Sequence, residues 1–148
     1  MSDDNEALRR LVPELQLLES VAEGLRSRIG LVNAAISEFH AANSTIDGLK
    51  EATKGTTILV PIGGGSFIKA KVTDYEKIVV DVGANVSLEK SFDEAYEDLE
   101  THIRELEKSR TNLQAQLQET ESNLNNMRNQ VRELSQRLQQ GNGNVRRA

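Results

Sequence analysis

Two seams of mostly apolar residues in alternating steps of four and three, one in each half of the chain, restrict its fold more than any other feature. The later seam runs Phe92, Tyr96, Leu99, Ile103, Leu106, Arg110, Leu113, Leu117, Thr120, Leu124, Met127, Val131, Leu134, Leu138. The earlier one runs Leu8, Leu11, Leu15, Leu18, Ala22, Leu25, Ile29, Val32, Ile36, Phe39, Asn43, Ile46. Apolar residues every 3.5 positions form a narrow stripe on a helix, and a second helix must cover it. Each patterned stretch covers roughly 40 to 50 residues, about 60 to 75 Å of helix. Matched lengths predict that the two pair with each other. If the chain turns back between them the helices run antiparallel, with Ile46 near Tyr96, Leu8 near Leu134, Thr120 near Ala22, and both chain ends at one tip.

Composition agrees with an elongated molecule. Of 148 residues 37% are hydrophobic and 3% aromatic, too lean for a thick globular core. A net charge of -5 argues against a general nucleic-acid surface. The sequence has no cysteine, which excludes disulfides and thiolate zinc sites. Residues 1–7 carry no signal pattern and no stretch nears the roughly 18 apolar residues of a membrane span, so a cytoplasmic protein is expected. The sequons at Asn43 and Asn85 then read as chance matches.

Local signals set the predicted boundaries: a first helix over 1–54, a middle segment over 55–90, a second helix over 91–140 and a disordered tail over 141–148. Ser91 to Glu94 reads as a capping box, while Gly55 and Gly141 read as helix stops. Pro13, Gly24 and Gly30 predict a kinked or frayed distal part of the first helix. In the middle the period drops to two. Residues 57–62 and 66–72 flank Gly63-Gly64-Gly65, residues 77–82 and 85–90 flank Gly83-Ala84, and the two units read as β-hairpins. Hairpins this small are marginal alone, so their open edges are expected to pair with strands of other subunits.

Ile58-Leu59-Val60-Pro61-Ile62-Gly63-Gly64-Gly65-Ser66-Phe67-Ile68-Lys69-Ala70 and Val80-Asp81-Val82-Gly83-Ala84-Asn85-Val86, set between two long helices, closely resemble archaeal prefoldin subunits of the α type. The resemblance covers nearly the whole chain. It implies an α+β fold: a long antiparallel two-helix coiled coil whose two central hairpins oligomerise into a β-barrel platform. Ile58, Val60, Ile62, Phe67, Ile68, Ile78, Val80, Val82, Val86 and Leu88 are the expected assembly residues. The resemblance further implies a hetero-hexamer of two α and four smaller β subunits, an ATP-independent holdase that captures non-native client proteins and passes them to a group II chaperonin.

The residues support such a holding surface independently. Val12, Leu17, Val21 and Leu31 lie off the first seam, where pairing with the second helix leaves them exposed. The second helix has no large aliphatic residue off its seam. Fraying at the tip would add Leu8, Leu11, Leu15, Val131, Leu134 and Leu138. Such a surface binds weakly and without sequence preference, through apolar area, and several arms together supply avidity. A competing reading is an adaptor coiled coil with one defined folded partner.

No catalytic residue, metal or cofactor is expected. The glycine run lacks the Gly-Lys-Ser/Thr of a phosphate loop and precedes a strand. His40 and His102 have no ligand partner at metal spacing and read as solvated. Glu97, Glu100, Glu105 and Glu107 read as a solvated face. Arg128, Arg132, Arg137, Arg146 and Arg147 are expected to be balanced by Asp3, Asp4 and Glu6. Arg110, Thr120 and Asn43 interrupt the seams and are expected to fix register.

Overall fold

The element order is α1 (Ser2–Glu51), β1 (Thr57–Gly63), β2 (Ser66–Lys71), β3 (Lys77–Asp81), β4 (Ser87–Ser91) and α2 (Phe92–Val145) in the computed structural model. It describes residues 2–145, with side chains from 3 to 140. The chain divides into two compact units, residues 34–107 and the paired segments 1–33 and 108–148.

In the unit of residues 34–107, helix segments pack through Ile36, Ile46, Phe92, Ala95 and Ile103, all buried. Ile46, Phe92 and Ala95 form a cluster, and Leu49, Tyr75, Ile78, Val80, Tyr96 and Leu99 pack around it. Hairpin 2 is therefore seated on the base of the coiled coil by Ile78 and Val80. The two hairpins are separate two-stranded antiparallel sheets. Thr57 faces Lys71 in hairpin 1 and Lys77 faces Ser91 in hairpin 2. Gly64 and Gly65 turn hairpin 1 with φ of 58° and 72°, a pair of positive values that a two-residue type I′ turn requires. Hairpin 2 turns through Gly83, Ala84 and Asn85, all at positive φ, and the Asp81 carboxylate accepts from the Gly83 amide at 2.9 Å.

Ser91 closes β4 and caps α2 at once. Its amide donates to Glu94 Oε2 at 3.1 Å, and the Glu94 amide donates to Ser91 Oγ at 3.2 Å, the reciprocal pair of a capping box. Lys50 donates to Asp93 at 2.6 Å and lies 5.1 Å from the Tyr96 ring centre, tying the end of α1 to the start of α2. The Asp93 carboxylate raises the Lys50 pKa.

In the other unit the buried residues are Ala22, Leu25, Leu113, Leu124 and Leu134. Register follows from Arg26 on Glu121 at 2.7 Å, Arg128 on Glu19 at 2.9 Å and Arg137 near Asp4 at 3.9 Å. Exposed pairs of this kind are screened by solvent, so they mark alignment more than they stabilise it. Of the C-terminal arginines Arg128 is thus matched by Glu19, beyond the acids of the first turn, and Arg137 by Asp4. Arg146 and Arg147 lie outside the described residues. Ala22, fully buried, lines a cleft with Leu124, while Thr120 borders another with Val21, Gly24 and Leu25.

Three boundaries differ from expectation. First, α1 ends at Glu51 rather than 54: the Ala52 amide bonds Leu49 O at 3.2 Å, and Gly55, at φ 87°, belongs to the turn that follows. Second, α1 runs without a break through Pro13, Gly24 and Gly30. Proline at 13 removes one donor, the bond to the Arg9 carbonyl, and the seam on either side continues to hold the helix. Third, α2 passes Gly141 to Val145, so residues 141–145 are helical and not a disordered tail. Glycine permits a stop without demanding one, at about 1 kcal/mol per residue in a helix. The rest of the expected tail, residues 146–148, lies outside the described residues.

Candidate functional site

The off-seam residues of α1 reach the surface. Leu31 is 70% exposed and Leu17 66%, with Val21 and Val12 also exposed, whereas no large hydrophobic residue of α2 is exposed among the described residues. Apolar surface therefore concentrates on one helix, through residues that play no part in pairing. The seam residues expected to join them behave differently. Leu8, Leu11, Leu15, Val131 and Leu138 are half-buried and Leu134 is buried, because the paired helices remain closed there and cover them.

The hairpins form the second apolar surface. Each strand alternates, and the faces can be assigned from hydrogen bonding. The Val72 amide bonds Thr56 O and the Val82 amide bonds Val86 O, which fixes the bonded pairs on each ladder. Ile58, Val60, Ile68 and Ala70 share one face of hairpin 1; Ile78, Val80, Val82, Val86 and Leu88 share one face of hairpin 2. Ile68, Val82, Val86 and Leu88 stay exposed, as do Ile62 and Phe67 near the hairpin 1 turn. Of the expected assembly residues, Ile78 and Val80 are engaged within the chain, while Ile58 and Val60 are half-buried.

Tyr75 holds the connector between hairpins. Its hydroxyl donates to Thr53 O at 2.8 Å and accepts from the Thr56 amide at 3.2 Å. Asp74 organises the next turn by accepting from the amides of Glu76 at 2.8 Å and Lys77 at 3.2 Å. These amide bonds lower the Asp74 pKa. A group whose pKa falls on folding stabilises above its unfolded value, and that contribution disappears as pH falls through the lowered folded value. In an NMR titration the Glu76 and Lys77 amide shifts should therefore move together at a pH below the usual carboxylate range. Asp74→Ala should abolish that movement; its persistence would assign it to another carboxylate.

Asn43 is buried at 4% exposure, with Nδ2 donating to Glu100 at 2.6 Å and Oδ1 left without a partner. A glycan has no room there. His102 is exposed and stacks parallel to Phe39 at 5.6 Å, while its Nδ1–H donates to Asp98 O. Among the described residues no group of His, Cys, Asp or Glu could hold a metal ion, and no helix is long and apolar enough to cross a membrane.

A family model of the prefoldin subunit matches residues 18–137, which hold most of both seams and both hairpins. The chain belongs to the prefoldin family. Prefoldin relatives include subunit alpha 1 of Thermococcus kodakarensis, 39% identical over 71% of this chain and 72% of its own length. Prefoldin subunit alpha of Pyrococcus horikoshii is 34% identical over 74% of both chains. A filamentous PFD of Methanocaldococcus jannaschii, solved by cryo-EM, shares the fold with a TM-score of 0.62 and 32% identity, covering 83% of this chain and 96% of that one. The α-type resemblance of the hairpin motifs agrees with the names of these relatives, and the chain is a prefoldin chaperone subunit.

Two features of this prefoldin subunit were not readable as isolated residues. Tyr75 gave no periodic signal, since it falls in the polar connector. Ala95 is 1% exposed although it lies off the seam, one position before Tyr96. Its small size admits close approach beside Phe92 and Ile46.

Proposed function

We propose that this chain is the α subunit of a cytoplasmic, ATP-independent holdase. Its apolar α1 surface holds non-native proteins and releases them to a group II chaperonin. The hairpins complete a β-barrel platform with other subunits, two α and four smaller β, and the platform spaces the arms. The reading divides the chain into arms at 1–54 and 91–140 joined by a platform at 55–90. The exposure of Leu17, Val21 and Leu31 beside a closed seam carries it. Apolar contact of this kind takes many sequences, and several arms multiply a weak grip.

The test is light scattering from a chemically unfolded protein diluted into the assembly of this chain with a smaller prefoldin subunit. Changing Leu17, Val21 and Leu31 to Ser should weaken suppression of aggregation roughly tenfold, since each loss is multiplied across the arms. The helices should melt as before. Equal suppression by the variant would move the holding surface elsewhere. An intact assembly that suppresses nothing, across several test proteins, would favour an adaptor with one folded partner.

A further inference from the structure

Hairpin 1 has a second face that takes no part in the chain's own core. Strand alternation places Thr57, Leu59 and Pro61 of β1 opposite to Ile58 and Val60, and the register sets them beside Lys71, Lys69 and Phe67 of β2. A barrel filled by Ile58, Val60, Ile68 and Ala70 turns this second face outward. An outward sheet face ordinarily carries polar residues. Here Leu59 is 62% exposed and Phe67 57%.

The face is ordered along the strands. From the turn towards the base its cross-strand pairs are Pro61 with Phe67, Leu59 with Lys69 and Thr57 with Lys71. The turn end is thus apolar and the base is charged, with about 6.8 Å between successive pairs. The charge is uncompensated. Residues 52–73 contain three lysines and no carboxylate. Lys50, Lys77 and Lys90 hold Asp93, Glu89 and Asp98, whereas Lys69 and Lys71 have no ion-pair partner among the described residues.

We propose that this face docks an extended acidic segment of another protein. An aromatic or aliphatic residue of that segment lies on Pro61 and Phe67, and carboxylates two and four residues further on lie over Lys69 and Lys71. Alternate residues of an extended chain are also about 6.8 Å apart, so its side chains match the pairs of the hairpin. The apolar contact supplies area, and the lysines fix direction and select negative charge. Nucleic acid suits the face less well. It offers one aromatic ring for stacking, the chain carries a net charge of -5, and residues 74–91 add four carboxylates against two lysines. The docking goes beyond the platform reading, which uses the opposite face of the hairpin.

The probe is a synthetic peptide in which a tryptophan is followed at the second and fourth positions by aspartate. This chain has no tryptophan, so the indole reports docking on the full-length chain alone. A fluorescein-labelled peptide reports it by anisotropy on the assembly with the smaller subunit. Binding should weaken with salt, and a peptide with lysine in place of aspartate should not bind. Lys69→Glu or Lys71→Glu should each weaken binding about tenfold, and Leu59→Ser should weaken it from the apolar side. Lys77→Glu in hairpin 2 should leave it unchanged, and sedimentation should show every variant assembled. An intact assembly that ignores the peptide, or an affinity that survives both lysine reversals, overturns the proposal. Tighter binding of a single-stranded oligonucleotide of equal charge overturns it as well. A chain that takes the peptide but does not assemble with the smaller subunit supports the docking face and removes the platform.

Discussion

Phe92→Ala should lower the unfolding free energy by about 3 kcal/mol, at the lower end of what a buried phenylalanine loses on truncation. Phe92 is 7% exposed and lies between Ile46 and Ala95, where the first turn of α2 meets the last turns of α1 and the underside of hairpin 2. A core this narrow has few neighbouring layers to move inward, so the cavity persists. The loss is a large share of the 5 to 15 kcal/mol typical of a folded chain. Leu31→Ala is the control: at 70% exposure its truncation should change stability by less than about 0.5 kcal/mol. Urea titration followed by helical circular dichroism measures both. A Phe92→Ala cost below about 1 kcal/mol would mean that the cluster does not anchor the hairpin end.

Asn43→Leu should act in the opposite direction, raising stability by about 1 to 2 kcal/mol. The native residue leaves Oδ1 buried without a hydrogen bond, and the substitution removes that penalty while extending the run of Ile36, Phe39 and Ile46. Against this stands the Nδ2 bond to Glu100 at 2.6 Å. Glu100 is only half-buried and can turn its carboxylate to water, so the lost bond is largely recovered from solvent. A fall in the urea midpoint instead of a rise would show that the Asn43–Glu100 pair outweighs the orphaned carbonyl. With Asn43 gone, the helices also lose the contact that penalises sliding by one heptad, and native-state hydrogen exchange along α2 should become less uniform.

The pairing of these helices was legible because spacing, more than residue type, determines burial in a seam. Asn43 is as buried as Ile46, and Arg110 is half-buried, although neither would be assigned to a core by hydrophobicity. The same logic made Leu17 and Leu31 readable as exposed: a leucine two positions past a seam residue points away from the partner. Helix ends were less legible. Gly55 and Gly141 carry the same local signal, yet one lies four residues beyond a helix and the other inside one. Contacts between distant segments gave no periodic trace, as with the Tyr75 hydroxyl on Thr53 and the His102 ring on Phe39. The closed seam at Leu8, Leu11 and Leu15 was missed because Pro13 suggested a break that the flanking pairs prevent.

The junction at Ser91 has a mechanical consequence. β4 passes into α2 with no residue between them, and the cap ties the joint from both sides. Hairpin 1 instead reaches α1 through residues 52–56, a short strap whose turns are pinned by Tyr75. Torque on hairpin 2 therefore enters α2 at Phe92 without slack, whereas torque on hairpin 1 is first absorbed by the strap. The two hairpins are a stiff crank and a sprung one on the same pair of shafts.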